Sequence, residues 1–148
     1  MYKLDIGPEA QNDLKALLQE SNKSRQCATR ILTVLQELEE NQKLLGYLLD
    51  HGFKNKDFNV SRVVSIWRYR DVWRLKIFGW DFSSNKENTL PYRVIYAYDW
   101  KSLTFIILAV VHRSFNYDAN HPITQRIIKA YDELGMQVLT TCHRPYKH

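Results

Sequence analysis

Cysteine is scarce in this chain. Cys27 and Cys142 are the only two among 148 residues, too few for a disulfide framework and in keeping with a reducing compartment. Glycine and proline are sparse as well, at five and four, which excludes collagen-like sequence and long flexible linkers. The most apolar stretch, 103–111, is interrupted by Thr104 and falls well short of the roughly 18 residues a membrane helix needs. After Met1 the chain passes directly into patterned sequence, with no apolar h-region or small-residue cleavage site, so a cytoplasmic protein without a membrane partner is expected. His121, Cys142, His143 and His148 are metal-ligand types but show no C-x-x-C or H-x-x-x-H spacing, and neither a metal nor any other cofactor is expected. A Gly-rich phosphate loop and a G-x-S-x-G elbow are both missing, which argues against nucleotide hydrolysis and serine esterase chemistry.

What the chain does have is aromatic and basic. Aromatic residues make up 13% and hydrophobic residues 45%, enough for one folded domain over 1–148, with 136–148 as a flexible basic tail. The formal charge of +5 is unevenly placed: residues 1–50 hold six Lys or Arg against eight Asp or Glu, and residues 51–148 hold fifteen against eight. Between Arg62 and Lys76 the cations Arg62, Arg68, Arg70, Arg74 and Lys76 face a single Asp71, with Trp67, Tyr69 and Trp73 interleaved. A polyanion partner fits that pattern. A half-buried strand with cations on one face and aromatics on the other gives the same pattern.

Hydrophobic periodicity sets the element order. Tyr2 to Ile6 alternates as a short strand, and Pro8 opens a helix carrying Ala10, Leu14, Leu17 and Leu18 on one face. A second helix from about Ser24 carries Cys27, Ile31, Val34, Leu35 and Leu38, which makes a helical hairpin, and Leu44 to Leu49 keeps helical spacing until Gly52. The period then changes to 2. Val63 to Trp67 is expected as a weak strand. Val72 to Phe78 alternates clearly, with Trp73, Leu75 and Ile77 on one face and Val72, Arg74, Lys76 and Phe78 on the other. Tyr92 to Tyr98 puts Arg93, Ile95 and Ala97 on one side. After a turn at 99–102, the apolar run 103–111 is expected at the sheet centre. Segment 79–91 is expected as a long polar loop, and 123–134 as a helix with Asn120 or His121 near its N-cap, Pro122 in its first turn and Gly135 past its end. The expected fold is α+β: an N-terminal strand and helical hairpin packed on a small antiparallel sheet, with a C-terminal helix and the helices on one sheet face.

This pattern brings Arg74 and Lys76, Arg93, and Arg113 with Tyr117 onto adjoining strands. Converging cations repel, a cost that a bound phosphodiester removes, since guanidinium groups bind phosphate bidentately and stabilise a pentavalent transition state. The competing expectation is that each cation pairs with a carboxylate of its own.

Trp73-Arg-Leu-Lys-Ile77, Tyr92-Arg-Val-Ile-Tyr96, and the apolar strand ending His112-Arg-Ser-Phe-Asn-Tyr117 together resemble the RelE/ParE superfamily of bacterial toxins. Its specific part covers residues 72–117. The resemblance to the RelE-like branch implies a ribosome-dependent endoribonuclease that cuts mRNA without a metal, by attack of a ribose 2′-hydroxyl on the adjacent phosphate. It implies as partners the ribosome, mRNA and a cognate antitoxin with an acidic segment. Arg74, Lys76, Arg93, Arg113 and Tyr117 match that branch's catalytic positions. Lys76 or Tyr117 would then transfer protons while Arg93 and Arg113 hold phosphate charge. Arg74 stands where lysine is the branch's better-known choice, and an always-protonated guanidinium is a poor base. His112 is an alternative acid or base. Arg68 and Arg70 are expected to bind RNA and Trp80 to stack on a base. The alternatives are a ParE-like inhibitor of DNA gyrase and a non-catalytic nucleic-acid-binding or regulatory domain on the same fold.

Overall fold

The computed structural model describes residues 1–63, 70–79 and 89–135. In chain order the elements are β1 (Lys3–Ile6), α1 (Pro8–Glu20), α2 (Asn22–Glu39), α3 (Gln42–Gly46), a 3-10 turn (Tyr47–Leu49), β2 (Phe58–Val63), β3 (Val72–Phe78), β4 (Thr89–Asp99), β5 (Thr104–His112) and α4 (Pro122–Glu133). The strands form one sheet in the order β1-β5-β4-β3-β2. The expected α+β class holds. Two features differ from expectation. The sheet is mixed, because β1 runs parallel to β5 while the other neighbours are antiparallel. The middle position belongs to β4, with β5 between it and β1.

Strand alternation divides the buried residues between two cores. Trp73, Leu75 and Ile77 of β3 join Phe58, Val60, Val94, Tyr96, Phe105 and Ile107 beneath α1 and α2. Val72, Ile95, Ala97, Leu108, Ala109 and Val111 turn the other way and pack with Ile127 and Tyr131 of α4. The helices therefore cover both faces, not one. A continuous apolar run such as β5 needs cover on both sides, and α4 supplies the second.

β2 begins at Phe58, earlier than the expected strand at 63–67, of which 64–69 lie outside the described residues. Its own alternation explains the position: Phe58 and Val60 enter the hairpin-side core while Val63 enters the α4-side core. Likewise β4 starts at Thr89, inside the expected loop, whose residues 80–88 lie outside the described set. The second helix starts at Asn22 because Ser21 is its N-cap. The Ser21 Oγ accepts from the Ser24 N–H and the Ser24 Oγ accepts from the Ser21 N–H, at 3.1 and 3.0 Å. His121 caps α4, accepting from the Ile123 N–H, and Gly135 follows with φ +63°. Gly7 joins β1 to α1 at a close approach. Its N–H donates to Ile107 O at 2.9 Å, and a Cβ there would stand 2.8 Å from that oxygen.

Both sheet edges are covered. Along β2, Val60 N–H donates to Phe53 O, Gly52 N–H donates to Val60 O, and Lys54 bridges Asn59. Along β1, side-chain amides replace a strand: Gln42 Oε1 accepts from Tyr2 N–H (2.6 Å), Gln42 Nε2 donates to Tyr2 O (2.9 Å), and Gln11 Nε2 donates to Ile6 O (2.8 Å). Between these amides, a groove of about 800 Å³ opens between Leu4, Ile6 and the Leu32 and Leu35 side of α2.

α4 is held by ion pairs as well as by its apolar face. Arg126 donates to Glu9 and Asp13 of α1 at 3.1 and 2.8 Å, and Asp13 also accepts the Val110 N–H of β5 at 2.9 Å. At the other end Arg70 donates to both Asp132 oxygens at 3.0 and 2.9 Å, and Tyr131 Oη accepts from Asp71 N–H at 3.2 Å. No described helix is long and apolar enough to cross a membrane.

Candidate active site

Register fixes which side chains meet. Residues opposite one another in an antiparallel pair share a face. Lys76 lies opposite both Asn59 of β2 and Arg93 of β4, and Arg74 opposite Ser61 and Ile95. Arg93 in turn lies opposite Val111, so the cations stand on the α4 side of the sheet. Arg113 follows β5 directly. Its backbone N–H donates to Pro91 O at 2.7 Å, extending the β4–β5 ladder past its last paired residues, so an exposed side chain rises from a fixed backbone.

The cations feel one another. Burial, then Arg74 and Arg93, hold the Lys76 ammonium below its ordinary range. Burial together with Arg74 and Arg113 lowers Arg93, against an opposing pull from Tyr117. Among the described residues, none of these four cations has a carboxylate within ion-pair distance. Their contacts are neutral. The Arg74 Nε–H donates to Ser61 Oγ at 3.1 Å, and an Arg93 Nη–H donates to Leu90 O at 2.7 Å. Each tether fixes one edge of a guanidinium and leaves its other donors for a ligand. Tyr117 stands at φ +61°, a backbone region that side chains rarely adopt, with its ring 4.7 Å from Phe115 and packed on the α4-side core. Strain of this kind persists where surrounding contacts over-determine it.

The other expected residues are placed differently. His112 lies opposite Tyr92, with its ring edge-on at 5.5 Å, on the hairpin side of the sheet. Its Nδ1 accepts the Ser114 N–H and contacts the Ser114 hydroxyl. It does not join the cluster. Arg70 is committed to Asp132 of α4. Arg62, part of the same basic stretch, lies on the opposite face over Trp73 and pairs with Asp71 at 2.9 Å. Arg68 and Trp80, and the tail residues Cys142, His143 and His148, lie outside the described residues. Sequence reasoning did not single out Ser61 and Asn59. The alternation Phe58-Asn-Val-Ser61 carried the signal, because its polar positions share the face of Lys76 and Arg74 once β2 pairs with β3.

Chemically, the arrangement is a clustered positive surface with a phenol beside it and one ammonium biased toward its neutral form. It suits an anion with distributed charge, such as a phosphodiester. A family model described as ParE toxin of type II toxin-antitoxin system, parDE, matches residues 4–117. Comparisons with curated proteins and with solved structures find no match.

Proposed function

For a chain that belongs to the family of ParE toxins of type II toxin-antitoxin systems, and so has a cognate antitoxin as partner, we propose, from the site's geometry and not from the family description, that it poisons its host as a ribosome-dependent, metal-free endoribonuclease acting on mRNA. The observation that carries this reading is the cluster of Arg74, Lys76, Arg93 and Arg113 without carboxylate partners among the described residues, beside Tyr117. Uncompensated cations on neighbouring strands cost stability, a cost offset when a phosphodiester lies over them.

Cleavage by this route needs three acts. A base takes the 2′-hydroxyl proton as the oxygen attacks phosphorus, fixed positive charge stabilises the phosphorane, and an acid protonates the departing 5′-oxygen. Lys76, biased toward its neutral form by burial and by Arg74 and Arg93, is the base. Arg93 and Arg113 hold the phosphorane oxygens, Arg74 positions the phosphate, and Tyr117 supplies the proton to the 5′-oxygen. The products are a 2′,3′-cyclic phosphate and a 5′-hydroxyl end.

Inducible expression followed by mapping of mRNA 5′ ends tests this. Cuts in phase with codons, confined to translated regions, are expected, and they are lost in a Tyr117→Phe, Arg113→Ala double variant. Equal growth inhibition by that variant and the parent overturns the nuclease reading. The second reading is inhibition of DNA gyrase, favoured by the parDE description of the matching family model. Under it the purified protein blocks gyrase supercoiling and leaves mRNA 5′ ends unchanged.

A further inference from the structure

We infer that the phosphate-binding surface continues past the proposed catalytic cluster onto β2 and the segment pairing with it, so that single-stranded RNA crosses the strands and the nucleotide next to the scissile phosphate is held at Lys54 and Asn59. This rests on the nuclease reading above.

The inference comes from register. Lys54 bridges Asn59, Asn59 lies opposite Lys76, and Lys76 lies opposite Arg93. Cross-strand partners share a face, so these four side chains form one row running perpendicular to the strands. At about 4.8 Å per strand the row spans roughly 14 Å, longer than the one phosphate that the catalytic chemistry uses. Lys76 and Arg93 lie at its catalytic end. Lys54 lies at the other, exposed, with its ammonium 5.6 Å from the centre of the Phe78 ring. Asn59 lies between them. Its half-buried amide has no hydrogen-bond partner among the described residues and offers both a donor and an acceptor to a ribose or phosphate.

Ser61 belongs to the same surface as a positioning residue. It lies opposite Arg74 and accepts the Nε–H, which fixes one edge of the guanidinium. The remaining face of β2, Phe58, Val60 and Arg62, points into or over the hairpin-side core, so the polar positions 59 and 61 are the ones β2 presents to the cations. An acidic peptide would also meet positive charge here. RNA is favoured because the row aligns with the proposed phosphorane-holding residues and contains a neutral amide suited to ribose hydroxyls.

Fluorescence anisotropy on the full chain, without ribosomes, tests the inference, using an unmodified RNA of about eight nucleotides and a dinucleotide of the same chemistry. A Lys54→Gln, Asn59→Ala double variant is expected to weaken the longer RNA several-fold and the dinucleotide less. The slope of log affinity against log salt is expected to fall by about one for the lost phosphate contact. Unchanged affinity and slope for the longer RNA, with Arg93→Ala binding weakened, overturn the extended surface and leave the nuclease reading standing. If the parent binds neither RNA, the extended surface fails, and the nuclease reading is decided separately by the mapping of mRNA 5′ ends. If the double variant keeps RNA affinity but loses affinity for poly-glutamate, the row serves an acidic peptide and the RNA assignment is wrong. Circular dichroism of each variant, with the parent spectrum retained, confirms that binding changes are not unfolding.

Discussion

At the residue scale, Lys76 is where stability and chemistry conflict. It stands directly opposite Arg93, and like charges in that position cost about 0.2–1 kcal/mol. Lys76→Met should therefore raise stability by about 0.5 kcal/mol in urea denaturation while abolishing the proposed RNA cleavage. The pH dependence has a definite sign. The folded chain holds Lys76 below its ordinary 10.5, so between the lowered value and 10.5 the unfolded chain binds more protons, and stability rises with pH across that window. Below the window both states are protonated and the repulsion is felt in full; above it both are neutral and the penalty is gone. Comparing parent and Lys76→Met by pH-dependent denaturation should show this alkaline gain in the parent alone. Cleavage separates base from mere charge: if Lys76 accepts the proton, Lys76→Arg removes the alkaline rise in rate, whereas retained activity with an unchanged profile would make it a charge stabiliser. Which cations would be paired was not legible in the sequence. Arg62, Arg70, Arg74 and Lys76 look alike there, but Asp132, 62 positions away, takes Arg70, and the pleat turns Arg62 to the other face.

At the element scale, β3 and β4 were legible because a half-buried strand writes its two environments into alternate residues, and Trp73, Leu75 and Ile77 did so. The true extent of β2 was missed because Phe58 and Val60 are only two apolar residues set in a polar stretch. The caps follow local chemistry and are testable as such: Ser21→Ala should cost about 1 kcal/mol in chemical denaturation through loss of the α2 cap. The contact of α4 with α1 had no local signature. Asp13 is an unremarkable acidic residue on a helix until β5 offers it the Val110 N–H and α4 offers Arg126. Asp13→Ala should cost about 2 kcal/mol, since a backbone donor loses its partner, and should speed hydrogen exchange at Val110. Exchange unchanged at that amide would show that the carboxylate does not protect it.

At the scale of the whole molecule, charge asymmetry became geometry. The hairpin covers one face of the sheet, and the cations share the other face with α4. The parallel β1–β5 pairing joins residues 3–6 to residues 104–107, a partnership about 100 positions apart that no local pattern announces. It leaves β1 as an outer strand with an odd finish. Its last neighbours are two glutamine side chains, Gln42 imitating a strand at Tyr2 and Gln11 closing Ile6. An open strand edge is a template on which another chain can polymerise, and an amide plug can be withdrawn by a single rotamer change where a covering strand cannot. The Gln11→Ala, Gln42→Ala pair should therefore turn a well-behaved solution into one whose light scattering grows with concentration and time. The two glutamines would then be the molecule's brake on its own assembly, and their loss would be felt first where the toxin accumulates.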